Sequence, residues 1–340
     1  MVIIRFGGGV RRLETILPDH PNFAPRLLHD LVPLGTLWEN VVMEPRTATH
    51  SLGTINLTTG SYFPGGTPEF AEEVIPHVPT IFEVARKQLN LGMTEALVIN
   101  NYIFGELVGW SRHPDFGATF QPGLMSFYER EKVWIDNKMR GSTLTPRSRD
   151  QLELAREWLL KKHYRNDLES DQVIQRYFSE HCREFGQTYA RGDELVFDFA
   201  CDALDLWHPR LLMVNFHDTD YVHWGIPYFY TEGIRRMDAY VWQIHRKLQL
   251  DAVYRDNTYL FIAPDCGRST NPRRFMPYQH HWAGEPGSHE LFILCVGPGV
   301  APGRRIRALR QQIDLAPSVG SVLGVRSPFW DGTALDGFET

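Results

Sequence analysis

The sequence predicts an α/β protein: a three-layer sandwich in which helices cover both faces of a mostly parallel central sheet, with a helical insertion. Three observations predict it. Short apolar runs bounded by turn residues recur along the chain. Helix-length stretches alternate with them, the pattern of βαβ units. Two of the runs open at their C-terminal ends into carboxylates and imidazoles, where open α/β sheets gather ligands and metals.

The strand-like runs are residues 2–6, 37–43, 96–100, 211–216, 259–263 and 291–296. The central ones, such as Leu211-Leu212-Met213-Val214 and Leu260-Phe261-Ile262-Ala263, are continuous hydrophobic segments of the kind buried on both faces. Helix candidates span 24–31, 80–89, 229–248 and 314–323. Thr80-Ile81-Phe82-Glu83 fits a capping box, in which the threonine and glutamate side chains each accept an N–H that the first helical turn leaves unpaired. From about 109 to 191 the pattern changes. A loop rich in Pro, Gly and aromatics, from Trp110 to Gly117, precedes two highly charged helix candidates, 147–164 and 170–189. This segment is expected to be an insertion or cap on a single α/β domain spanning 1–340.

With 340 residues, 43% apolar and 22% charged, the chain can bury a sizeable core. A net charge of −6 and a pI near 6.2 argue against bulk binding to nucleic acid or an anionic membrane. An anionic substrate must then be met by local charge. No apolar run approaches the roughly 18 residues of a membrane span. Met1-Val2-Ile3-Ile4-Arg5-Phe6 enters a strand directly, and a cytoplasmic location is expected. Cys182, Cys201, Cys266 and Cys295 are scattered without a CxxC pair and are expected to be reduced thiols.

The chemistry concentrates at two strand ends. Asp218, Asp220 and His223 follow the 211–216 run. Asp265 ends the 259–263 run, Gly267 turns the chain, and His280, His281 and His289 follow before the next strand. Carboxylate oxygen with imidazole nitrogen is a ligand set for Zn, Mn or another divalent ion. Taken alone, Asp218 and Asp220 could equally cap the next helix; the second cluster favours a shared ion. Gly7-Gly8-Gly9 lacks the spacing of a dinucleotide or P-loop motif and reads as a tight strand exit. A G-x-S-x-G nucleophile elbow is absent.

The stretch from Asn215 to Gly225, with Asp265-Cys266-Gly267, His280-His281, the strand and turn from Phe292 to Gly299, and Gln312 to Val319, resembles the alkaline phosphatase superfamily. That superfamily includes sulfatase-like hydrolases, nucleotide pyrophosphatases and phosphomutases, and the resemblance covers most of the chain outside 109–191. It implies a first metal site of Asp218 or Asp220, His223, and His281 or His280. It implies a second site at Asp265 and Cys266, where the family has Asp-His-Gly. Two departures accompany it. The family's first strand ends in an Asp that binds the second metal; here Gly8 stands in that place, with Glu14 the only acid nearby. The family's nucleophile falls, counting back ten residues from Gly60, on His50, with Thr49 and Ser51 beside it.

The resemblance thus implies a metal-dependent hydrolase of a phosphate, sulfate or related ester, a small anionic molecule. One or two divalent ions are expected, Zn before Mn. Thr49 would be the nucleophile, or His50 would take its place as ligand, base or phosphoryl acceptor. Arg11 and Arg268 would hold the anionic group. The altered second site leaves another reading: a pseudoenzyme of the same fold that binds a ligand or a protein partner.

Overall fold

Alternate residues of the apolar runs serve two cores, and this makes them strands of one sheet. Val2 and Ile4 lie in one buried cluster while Ile3 lies in the other; Leu212 and Val214 oppose Leu211 and Met213 in the same way. The computed structural model describes residues 1–44, 48–62, 75–100, 109–141, 143–162, 172–181, 192–224, 227–271 and 277–337. Its strands are β1 (Val2–Arg5), β2 (Thr36–Val42), β3 (Ala96–Asn100), β4 (Gly123–Ser126), β5 (Leu211–Asn215), β6 (Leu260–Ala263), β7 (Glu290–Val296), β8 (Arg304–Ile306) and β9 (Arg310–Gln311). Their order is β4-β3-β5-β1-β6-β7-β2-β8, with β9 also on β2. Only β7 runs against its neighbours, β6 and β2; the other pairings are parallel.

The helices follow the same economy of burial. They are α1 (His50–Thr59), α2 (Ile81–Leu89), α3 (Gly117–Phe120), α4 (Phe127–Arg140), α5 (Pro146–Lys162), α6 (Gln172–His181), α7 (Gly192–Leu206), α8 (Pro227–Leu250) and α9 (Leu315–Leu323). On one face of the sheet, α8 lays Ile234, Met237, Val241, Ile244 and Leu248 beside Phe199 and Ala203 of α7. On the other, α2 and α9 supply Ile81, Phe82, Val84, Leu315 and Val319. The expected capping box is present: Thr80 Oγ1 accepts from Glu83 N, and the Glu83 carboxylate accepts from Thr80 N at 2.7 Å.

Several elements depart from the expected outline. Residues 25–31 are helical, but Leu27–Leu31 is wound as a π turn that runs into a 3-10 turn over Val32–Leu34. The 109–191 interval contributes β4, an edge strand of the main sheet, besides α3 to α6. Residues 170–171 and 182–189 of the second charged helix candidate lie outside those described. Among the described residues, no helix is long and apolar enough to cross a membrane.

Strand order places the site. β5, β1 and β6 are adjacent and parallel, so their C-terminal ends open side by side. Arg5 is in register with Asn215 on one side and Ala263 on the other. The glycines after β1 let the next loop press onto its neighbour. Gly8 has φ +74°, and a Cβ there would stand 2.2 Å from Thr219 Oγ1 and 2.5 Å from His217 O.

Candidate active site and metal centre

Helix α1 is polar in sequence and buried at every position. Its threonine hydroxyls bond within the helix: Thr54 donates to His50 O, Thr58 to Thr54 O and Thr59 to Ile55 O. Thr49 is its N-cap, accepting from Leu52 N. Gly53 brings the helix against the β6 exit so closely that a Cβ would lie 2.0 Å from Asp265 O. That approach carries His50, at the first helical position, between the two strand-end clusters.

His50 bridges them. Its Nε2 lies 2.8 Å from Asp220 Oδ1 and its Nδ1 2.8 Å from Asp265 Oδ2. With a carboxylate on each nitrogen, both nitrogens donate and the ring is an imidazolium. Burial alone would lower its pKa, but the charges of Asp220, Cys266 and Asp265 hold it well above the ordinary value.

Asp220 is the hub of the first group. Besides His50, its Oδ1 meets Arg268 Nη2 at 2.7 Å and His223 Nε2 at 3.1 Å, with His281 Nε2 at 3.9 Å; its Oδ2 meets His217 Nε2 at 3.3 Å. Burial would raise this carboxyl, but His50, then His217 and His223, hold it well below its usual range. His217, Asp220 and His223 are spaced by three, and the segment Asp218–Trp224 is a 3-10 helix, in which residues three apart eclipse. That spacing is the signal in the sequence that would have pointed to His217 and to Asp220 over Asp218. Asp218 lies elsewhere, accepting from Asp193 N at 3.3 Å, while Asp193 accepts from the His217 and Asp218 amides and so fixes the turn.

His281, and not His280, joins the group. Its Nδ1 donates to Ala48 O at 2.7 Å, which leaves Nε2 with its lone pair toward Asp220. A backbone carbonyl that accepts from one ring nitrogen fixes the tautomer and leaves the other nitrogen for a metal. Burial, with the charges of His50 and Arg268, lowers His281 well below its ordinary pKa, so the ring stays neutral. His280 instead stacks on Trp282 at 4.7 Å.

Around Asp265 the picture differs. Arg5 donates to Asp265 Oδ2 from Nε at 3.1 Å and from Nη2 at 2.7 Å. His50 Nδ1 meets the same oxygen, and the amides of Gly9 (3.2 Å) and Cys266 (2.8 Å) fill Oδ1. Burial would raise the carboxyl, yet Arg5 and His50 hold it far below its usual value. Cys266 Sγ is 3.4 Å from His50 Nδ1, and burial pushes its thiol pKa up. Arg5 Nη2 also lies 3.0 Å from His217 Nδ1. A guanidinium only donates, so His217 Nδ1 accepts and Nε2–H points to Asp220. Burial lowers His217 to about 4. Arg5 is absent from the expected site, although a charged residue in an otherwise apolar strand, Val2-Ile3-Ile4-Arg5-Phe6, demands a buried partner.

The donor sets decide what each group can hold. Once His50 gives up its Nε2 proton, His50, Asp220, His223 and His281 bring ligand atoms within 4.8 Å of one another, three nitrogens and an oxygen that suit a four-coordinate zinc ion. His50, Asp265 and Cys266 are equally close. There, however, five donors already cover the roughly four lone-pair positions of one carboxylate. An arginine faces each carboxylate, Arg268 on Asp220 and Arg5 on Asp265, so the groups are separated by their other ligands: three imidazoles in the first, one imidazole and a buried thiol in the second. The first group fits a metal; the second does not. Glu14 is in neither group among the described residues, being paired with Arg11 and hydrogen-bonded by Tyr230.

The two expected anion-binding arginines are both committed. Arg268 is fully buried, donating to Asp220, Gly8 O, Gly9 O and Gln279 O. Arg11 pairs with Glu14 and donates to Ser269 O at 3.1 Å.

No protein-family model and no curated protein matches the chain. Solved structures do. The chain is similar to a protein in the alkaline phosphatase superfamily from Vibrio parahaemolyticus, with 13% identity and a TM-score of 0.58 over 98% of this chain and 68% of that one. It is similar to wild-type alkaline phosphatase PafA, with 11% identity and a TM-score of 0.57 over 99% and 98%. It is also similar to the sulfatase PsFucS1 from Pseudoalteromonas sp., with 11% identity and a TM-score of 0.55 over 98% and 70%. The chain is built on the fold of the alkaline phosphatase superfamily.

Proposed function

We propose that the chain is a metal-dependent hydrolase of a small anionic ester, a phosphate or sulfate, working from His50, Asp220, His223 and His281. One observation carries this reading. Three imidazoles and a carboxylate from three separate parts of the chain converge, and His281 is anchored through Ala48 O with its second nitrogen turned inward. The fold shared with a phosphatase and a sulfatase supports the substrate class. Zinc is the ion this nitrogen-rich set favours. Bound there, it would supply Lewis-acid activation of the ester.

The chain's own residues divide the remaining work. A His50 that gives Nε2 to an ion has Nδ1 committed to Asp265 and no nitrogen left for attack. Thr49, the N-cap before it, is therefore the assigned nucleophile. Arg268 holds Asp220 through Oδ1, the same oxygen that His50 and His223 face. The 109–191 segment is assigned the role of shaping the substrate pocket.

A second reading has its own observation. Arg5 and Arg268 already neutralise Asp265 and Asp220, an ion network complete without a metal, which favours a protein of this fold that binds a ligand without turning it over. Zinc-loaded protein assayed on p-nitrophenyl phosphate and p-nitrophenyl sulfate separates the two. Metal-dependent turnover lost in Thr49→Ala and in Asp220→Asn supports the hydrolase. Zinc bound without turnover of either ester leaves the binding protein.

A further inference from the structure

Two donor groups share His50, and each carboxylate faces an arginine. They differ in the other ligands: the first offers three imidazoles, while the second offers one imidazole and a thiol beside a carboxylate whose oxygens already accept five hydrogen bonds. We propose that the Arg5 guanidinium is a built-in cation that takes the place of a metal ion at the Asp265–Cys266 group, so that this chain holds one divalent ion and not two. The inference stands whether or not the chain turns over an ester.

Arg5 is 1% exposed and sits on β1, which β5 and β6 pair on both flanks, so its backbone has no freedom to withdraw. Two of its N–H groups reach one oxygen of Asp265, itself fully buried. A bound ion neutralises a carboxylate only while it stays. A guanidinium does so at every pH the protein meets. Arg5 also does what an ion could not: its Nη2 faces His217 Nδ1 and thereby aims His217 Nε2–H at Asp220 in the first group. The one fixed cation compensates the second group and orients a histidine of the first. Cys266, which an ion at the second group would draw into thiolate coordination, remains a buried thiol beside His50.

Metal-stripped protein titrated with zinc, and separately with cobalt, tests this. The wild type is expected to take up one equivalent, and its cobalt form to lack a sulfur-to-cobalt charge-transfer band. Arg5→Met is expected to gain an equivalent and to show that band, which Cys266→Ser in the same background removes. Two equivalents in the wild type, or a sulfur band that Cys266→Ser abolishes there, overturns the proposal. So does a folded Arg5→Met that gains no ion. Should Arg5→Met fail to fold, the wild-type count and the cobalt spectra of wild type and Cys266→Ser decide alone. No ion in the wild type overturns the one-ion count and with it the proposal, and sinks the metal-dependent hydrolase as well.

Discussion

His50 Nε2 lies 2.8 Å from Asp220 Oδ1, joining the start of α1 to the turn after β5 across 170 positions of sequence. Arg268 reaches the same oxygen at 2.7 Å, so one carboxylate balances two buried cations. Asp220→Ala leaves Arg268 without its carboxylate and His50 with Asp265 alone, and a loss of about 3–5 kcal/mol is expected in urea denaturation. Asp220→Asn keeps the shape, folds, and weakens zinc binding by on the order of 100-fold or more. A folded Asp220→Asn that retains zinc at wild-type affinity removes Asp220 from the centre.

The His217 pKa, lowered to about 4 by burial and by the charges of His50 and Arg5 against the pull of Asp220, makes a pH prediction. Its folded value lies below the unfolded 6.5, so the unfolded chain binds more protons between the two. The stability it contributes is present above about pH 6.5 and is lost as pH falls through about 4. The full shift corresponds to about 3 kcal/mol. Glu83, raised by burial to about 7, and Asp238, raised by burial to about 6, act in the opposite direction over the same range. The metal-stripped wild type must therefore be compared with His217→Gln. Acidification from pH 7 to 4.5 is expected to cost the wild type more than the variant, and equal slopes in urea midpoints would mean that His217 is protonated or exposed.

Gly53 sets the distance between His50 and Asp265. Alanine is the better helix former by about 1 kcal/mol, so an exposed Gly53→Ala would stabilise α1. Here the added Cβ meets the Asp265 backbone carbonyl at 2.0 Å, and Gln312 Nε2 holds that carbonyl at 2.6 Å. The helix must shift. A net loss of about 1–3 kcal/mol is expected, together with weaker zinc binding because His50 moves with the helix. Calorimetric zinc titration of Gly53→Ala checks this, with Thr59→Ala, at the far end of α1, as the comparison.

The strands of β5 and β6 were legible because a strand buried on both faces has no polar side to interrupt it; strand ends pointed to Asp218, Asp220, His223 and Asp265, and the family resemblance to His281 or His280. What escaped was decided by direction and by tertiary burial. Asp218 and Asp220 are alike in the sequence; they separate only because residues two apart in a 3-10 turn face different ways, while His217 and His223 share the Asp220 side. Helix α1 shows no apolar face, since it is enclosed on all sides and bonds its own threonine hydroxyls. Strand β4 is four residues, too short for alternation to register. Arg5 is visible as an odd charge in an apolar strand, but its partner lies 260 residues away, a pairing that local pattern does not encode.

Restoring an acid at position 8 tests how deeply the second group has been closed. The resemblance places a metal-binding Asp there, and a reversion by Gly8→Asp suggests itself. The backbone forbids it. Gly8 has φ +74°, and any Cβ would stand 2.2 Å from Thr219 Oγ1, 2.5 Å from His217 O and 2.9 Å from Asp220 N. The last two are backbone atoms of the turn that presents His217 and Asp220, so a side chain at position 8 displaces the first group before it can serve the second. Gly8→Asp is expected to lose roughly 2–4 kcal/mol in urea denaturation and to bind zinc more weakly than the wild type. Gly8→Ala is expected to lose nearly as much, because the clash comes from Cβ and not from the carboxylate. A Gly8→Asp protein that folds with wild-type stability and takes up a second zinc would show that the turn yields, and that Arg5 does not close the group against a metal.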